Sequence, residues 1–181
     1  MKKTMLSVLA VAAIATATAS VAQAAVAPSG KARGATTVSL DQATIGAVVG
    51  LGLKPAAAAP GVLGMDGADL KASFPIVGNM NDGTIKHSGG LTLSGGGTVL
   101  SLTKYRIDTS IGLLTAAAAV NSHEVGRIPL FDLGSAPSQA GCVATASLGL
   151  DEAGAHALTA IFGAPDLTGA PFGTACVAPR S

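Results

Sequence analysis

The side chains in this sequence that offer metal, haem or redox chemistry are few: three histidines, one tyrosine and two cysteines in 181 residues. His87 is the sharpest of them. From Ile85 the chain alternates, with Ile85, His87, Gly89, Leu91 and Leu93 on one parity and Thr84, Lys86, Ser88, Thr92 and Ser94 on the other, the pattern of a half-buried strand. His87 falls on the apolar parity. An imidazole presented there is a candidate ligand for a metal or haem iron, or a core-edge histidine bonded to a carbonyl of the glycine-rich turn. Tyr105 is the second candidate, either as a phenolate ligand or as a packed strand residue with a wet hydroxyl. His123 lies in a polar stretch beside Glu124, and His156 lies off the apolar stripe of a helix, so both read as solvated. Spacings of 36 and 33 residues between the histidines make no zinc signature. There is no G-x-S-x-G elbow, no H-E-x-x-H and no lysine after a glycine loop, so the chain reads as non-enzymatic.

Cys142 and Cys176 are the only cysteines. One opens a strand and the other closes one, with a helix between, so antiparallel pairing predicts a disulfide rather than a metal site.

These residues hang on a hairpin, Gly83 to Asp108, whose tip is Gly95-Gly96-Gly97 and whose second limb carries Val99, Leu100, Leu102, Tyr105 and Ile107. The parity change between Leu102 and Tyr105 predicts a β-bulge near Thr103. Before the hairpin, Thr36 to Leu40 reads as a strand and Asp41 as the cap of a helix bearing Ile45, Val48 and Val49. Residues 54–64 read as extended chain between Pro55 and Pro60. Residues 68–77 read as a strand that Pro75 assigns to an edge or a strand end. After it come strands over 111–120, 127–133 and 142–150, a polar loop at 121–126, a second helix begun by Asp151 and ended by Gly163, and a closing strand over 172–177. Leu40-Asp41 and Leu150-Asp151, with Pro55 and Pro165, match at an offset of 110 residues. That is either a duplication or the same strand-to-helix capping rule used twice. The expected fold is mainly β, a two-layer antiparallel β-sandwich with two short helices.

Residues 1–24 read as a signal peptide, with Lys2 and Lys3 at its start and Ala22-Gln23-Ala24 as the cleavage site, so cleavage is expected before Ala25, with Ala27 as the alternative. Residues 25–35 suit a flexible mature N-terminus, and residues 36–178 form one expected domain. The protein is then secreted or held in the cell envelope, with no transmembrane segment after cleavage. Without the leader, nine basic residues face ten acidic ones, so no basic field for nucleic acid is present. Aromatic residues are 3% with no tryptophan, so the stacking platforms that bind sugars or single-stranded nucleic acid are mostly missing.

The order of these features resembles the Htaa domain of secreted and surface-anchored haem-uptake proteins of Gram-positive bacteria. Lys86-His87-Ser88-Gly89-Gly90-Leu91 is similar to the family's G-H-x-G-x-L strand, and Leu150 to Phe162 is similar to its closing strand and helix. The resemblance spans residues 37 to 177 and implies haem as a cofactor. It departs at the opening helix, where the family carries a tyrosine that ligates haem. Asp41 to Leu51 has no aromatic residue, with Val48 or Val49 at that position. Only His87 carries over. The sequence thus predicts an exported, disulfide-bonded β domain that binds a small ligand or a surface protein through its hairpin edge. Haem capture by His87, assisted by Tyr105, is the alternative, and an extracytoplasmic hydrolase stands behind both for want of a nucleophile-base pair.

Overall fold

A computed structural model describes residues 33–78, 80 and 82–179. The expected signal peptide lies outside the described residues. The chain forms β1 (Gly34–Leu40), α1 (Gln42–Gly50), β2 (Lys54–Ala58), β3 (Val62–Asp66), β4 (Asp69–Val77), β5 (Thr84–His87), β6 (Gly90–Gly95), β7 (Thr98–Asp108), β8 (Leu113–Val120), β9 (His123–Gly134), β10 (Ala144–Leu150), α2 (Glu152–Phe162) and β11 (Pro171–Pro179). The mainly β, antiparallel architecture with two helices is as expected. The sheet goes further than two stacked layers, because β7 pairs with β8 and closes the order β7-β5-β4-β1-β11-β10-β9-β8 into a barrel of eight strands. Closure removes the open edges that a sandwich leaves.

Local chemistry explains most boundaries. Gly96 and Gly97 hold φ of 57° and 79°, the two left-handed positions of a tight hairpin turn between β6 and β7. The predicted bulge is present: the β7–β8 register shifts between Thr103 and Arg106, and Lys104 sits at φ 50°. Arg127 spans that bulge, donating to the Lys104 carbonyl at 3.0 Å and to Thr115 Oγ1 at 3.1 Å. Asp41 and Asp151 cap α1 and α2, each accepting from the backbone N–H two residues on at 2.8 Å. The repeated Leu-Asp therefore marks two equivalent strand-to-helix corners.

Three local readings differ from expectation. Asn121 and Ser122 make a tight turn with positive φ, so 123–126 belongs to β9 rather than to a loop. The strand carrying Pro75 is not an edge, since β4 pairs with β1 on one side and with β3 and then β5 on the other. Pro75 falls where β3 gives way to β5, so its missing donor leaves no ladder bond unmade. The alternating strand from Ile85 is also broken, at Ser88-Gly89, where the sheet forks.

That fork positions the site. Beyond it β5 stays in the barrel beside β4, while β6 leaves it and takes β2 along its outer side. The hairpin edge expected to bind a partner is thus already covered by β2. Gly90 sits at the branch with its Cα against Leu102 and Thr103, where an added Cβ would overlap the Leu102 carbonyl oxygen. Ile76 and Leu100 are fully buried, and Leu100 shares one core with Val38, Phe74, Leu114, Leu148 and Ala175.

Candidate functional site

His87 ends β5 and points inward, 4% exposed. Its Nε2 lies 2.7 Å from Oγ1 of Thr36 on β1, itself 3% exposed, and its Nδ1 lies 3.3 Å from the carbonyl of Tyr105 on β7. A carbonyl only accepts, so Nδ1 carries the proton and donates to it, and Nε2 accepts the Thr36 hydroxyl proton. Both nitrogens of the neutral ring are therefore engaged. Burial pushes the imidazole pKa down from 6.5 to about 4, with the Tyr105 carbonyl acting weakly in the other direction. The space beside the ring is a cavity of about 20 Å³.

Tyr105 is also buried, at 5% exposure, with its ring edge-on to Phe74 at 4.8 Å and 72°. Its hydroxyl oxygen accepts the Leu91 N–H at 3.1 Å, and burial pushes its pKa upward. The sequence paired His87 with Tyr105, and the fold does bring them together, through the Tyr105 backbone rather than its phenol. Thr36 was missed. Its inward parity on β1 was legible, but a threonine there reads as an ordinary strand residue.

Cys142 and Cys176 form the expected disulfide, with Cα atoms 5.4 Å apart. It ties the entry of β10 to β11. His123 is exposed at the start of β9, and His156 is exposed on α2. Among the described residues no group of three histidine, cysteine or acidic side chains converges as a metal site. The two ion pairs among them are Lys71–Asp66 and Lys86–Asp82, and Arg127 makes the bulge contacts rather than pairing with Asp108 or Asp132.

The feature that sequence reasoning missed is a second cavity, of about 280 Å³, in the wedge of the fork. The inner sides of β6 and β7 (Leu91, Leu93, Leu102) floor it, and α1 and α2 cover it. The α1 roof buries none of its own residues. It is held at its N-terminal end: Asp41 N–H donates to the Phe172 carbonyl, the Thr44 hydroxyl donates to the Pro171 carbonyl, and Gln42 donates to the Ala68 carbonyl at 3.3 Å. Across the wedge α2 packs closely, with Gly154 and Ala155 buried beside β9. Apart from Thr44 and Tyr105, every side chain that lines the cavity is apolar. No periodicity rule reports such a space, because each lining residue is individually an ordinary apolar position.

The fold and site together define a closed antiparallel β-barrel with a forked wing and two capping helices around an apolar cavity. Neither the family models nor the curated proteins include a match. Among solved structures, the C-terminal domain of HtaA from Corynebacterium glutamicum is similar, with a TM-score of 0.52 over 81% of this chain and 98% of that one, at 16% identity. At that identity the likeness is one of fold, and it is the fold that the sequence resemblance implied.

Proposed function

We propose that this chain is an extracytoplasmic, non-enzymatic binding domain that takes a small apolar molecule into the cavity beneath α1 and α2. The observation that carries this reading is the cavity itself. At about 280 Å³ it lies near the small end of the roughly 300–1,000 Å³ range of ligand sites, and its walls are almost wholly aliphatic. The disulfide supports an oxidising compartment, in keeping with the leader read from residues 1–24. Catalysis would need ionisable groups gathered at the pocket, and Tyr105 is the one titratable side chain on its described lining.

Haem does not fit the donors present. His87 has both nitrogens engaged and opens only on the 20 Å³ space. Tyr105 is held in its neutral form by burial, and the α1 residues facing the larger cavity, Val48 among them, carry no ligand atom. A bound ligand is therefore held by shape and apolar contact rather than by an axial bond to iron.

The test is a fluorescence titration of the oxidised protein lacking residues 1–24 with 1-aminoanthracene, beside Ala157→Trp, which fills the cavity from α2, and a parallel absorbance titration with haemin. Saturable enhancement that the variant loses is expected. Flat fluorescence would refute the proposal, as would a haemin Soret band that disappears in His87→Ala.

A further inference from the structure

The hydroxyl of Tyr105 is one half of a hydrogen-bonding group left idle. Its oxygen accepts the Leu91 N–H at 3.1 Å, yet its own proton has no acceptor among the described residues. A phenol both donates and accepts, and a buried donor without a partner is costly unless something supplies one. Tyr105 is 5% exposed, so bulk water does not supply it. The residue lines both cavities, and the larger has no other free side-chain donor on its lining because the Thr44 hydroxyl donates to the Pro171 carbonyl. The ring is fixed by Phe74 and the oxygen by Leu91, so the donor is pre-set before any ligand arrives.

We infer that the ligand is an apolar molecule with one uncharged oxygen acceptor, a ketone, ester or quinone carbonyl, which takes the Tyr105 hydroxyl proton as a hydrogen bond. This inference rests on the cavity reading above. A carboxylate is disfavoured by the same walls, since an ionised group would be buried with a single neutral donor and no cation. A pure hydrocarbon would fill the space but leave the phenol unpaired, and one polar contact in an apolar pocket is the usual means of fixing a ligand's orientation. Bonding to a ligand carbonyl leaves the Leu91 N–H contact intact, because donor and acceptor functions of one hydroxyl are separate.

The test uses a matched pair, 2-acetylnaphthalene and 2-isopropenylnaphthalene, in which a CH2 group replaces the carbonyl oxygen. Wild type should bind the ketone about three- to tenfold more tightly. Tyr105→Phe should erase that preference while keeping the affinity for the hydrocarbon. The infrared C=O stretch of the bound ketone should lie lower in wild type than in Tyr105→Phe, a signature that a purely structural tyrosine does not produce. Equal affinities in wild type with an unshifted carbonyl band would overturn the Tyr105 assignment and leave the cavity reading standing. If neither compound binds, the cavity reading fails, and this inference with it. Should Tyr105→Phe fail to fold, the wild-type preference and the shift of the bound ketone's band from its position in hydrocarbon solvent still decide the matter.

Discussion

Acid should destabilise this protein through His87, by an amount that the structure sets. The folded imidazole is neutral, and burial lowers its pKa from 6.5 to about 4. Between those values the unfolded chain binds a proton that the folded chain refuses, so stability is complete above about pH 6.5 and falls as the pH drops toward 4. Each unit of difference corresponds to about 1.4 kcal/mol, so the whole window is worth roughly 3 kcal/mol, of which about 2 kcal/mol is lost between about pH 7 and pH 5. Urea unfolding of the oxidised protein and of His87→Gln, whose amide can still donate to the Tyr105 carbonyl, measures it. Wild type should lose about 2 kcal/mol more than the variant over that interval. His123 and His156 are present in both proteins and cancel. The carboxylates of Asp66, Asp82, Asp108 and Asp166 are held below their ordinary range, by Lys71, the Thr84 N–H, the Ser110 hydroxyl and the Thr168 hydroxyl respectively. Their contribution is present above the ordinary carboxylate pKa and disappears only below this window. Parallel pH profiles for the two proteins would refute the assignment of a sealed, neutral His87.

Three further outcomes test the scaffold. Replacing Cys142 and Cys176 by serine opens a loop with ends 34 residues apart and should cost about 3–4 kcal/mol, read as a fall in urea midpoint that dithiothreitol reproduces in wild type alone. Gly90→Ala drives a methyl into the Leu102 carbonyl at the fork and should cost more than about 2 kcal/mol, seen as a lowered melting temperature. In α1, Gly46→Ala adds a methyl that meets nothing within 4 Å, so it should stabilise by about 0.5–1 kcal/mol by the same measurement.

The parts of the fold written as local rules were legible in the residues. Alternation located β4 and the hairpin limbs, the glycines located its tip, the parity change located the bulge at Lys104, and Asp41 and Asp151 located both helix starts. Closure of the barrel was not legible, because it depends on β7 using both of its edges, and nothing within β7 announces a third partner beyond β6 and β5. The site divides in the same way. The inward parity of His87 and the pairing of the two cysteines were readable. The bond from Thr36 to His87 crosses β4 and joins residues 51 apart, so it exists only once the sheet order is known.

The cavity follows from the composition that first appeared only to exclude functions. A sheet that forks must fill the wedge between its arms, and large aromatic side chains on the covering helix would do so. Here α1 offers Ala43, Gly46 and Ala47 among β-branched residues, and its aliphatic Val48 faces a space that it does not fill. The aromatics at the cavity wall are committed to partners in the barrel rather than projecting from the roof: Tyr105 packs on Phe74, and Phe131 packs on Phe172 with centroids 4.3 Å apart. The absence of an aromatic residue from α1 therefore does two things at once. It removes the position at which the resembled family ligates haem, and it leaves an apolar room whose one free donor is the Tyr105 hydroxyl. Those two consequences separate experimentally. An aromatic residue at Val48 would close the room to naphthalene probes without touching the His87–Thr36 bond. The pH dependence of stability should then persist in a Val48→Phe protein that no longer binds them.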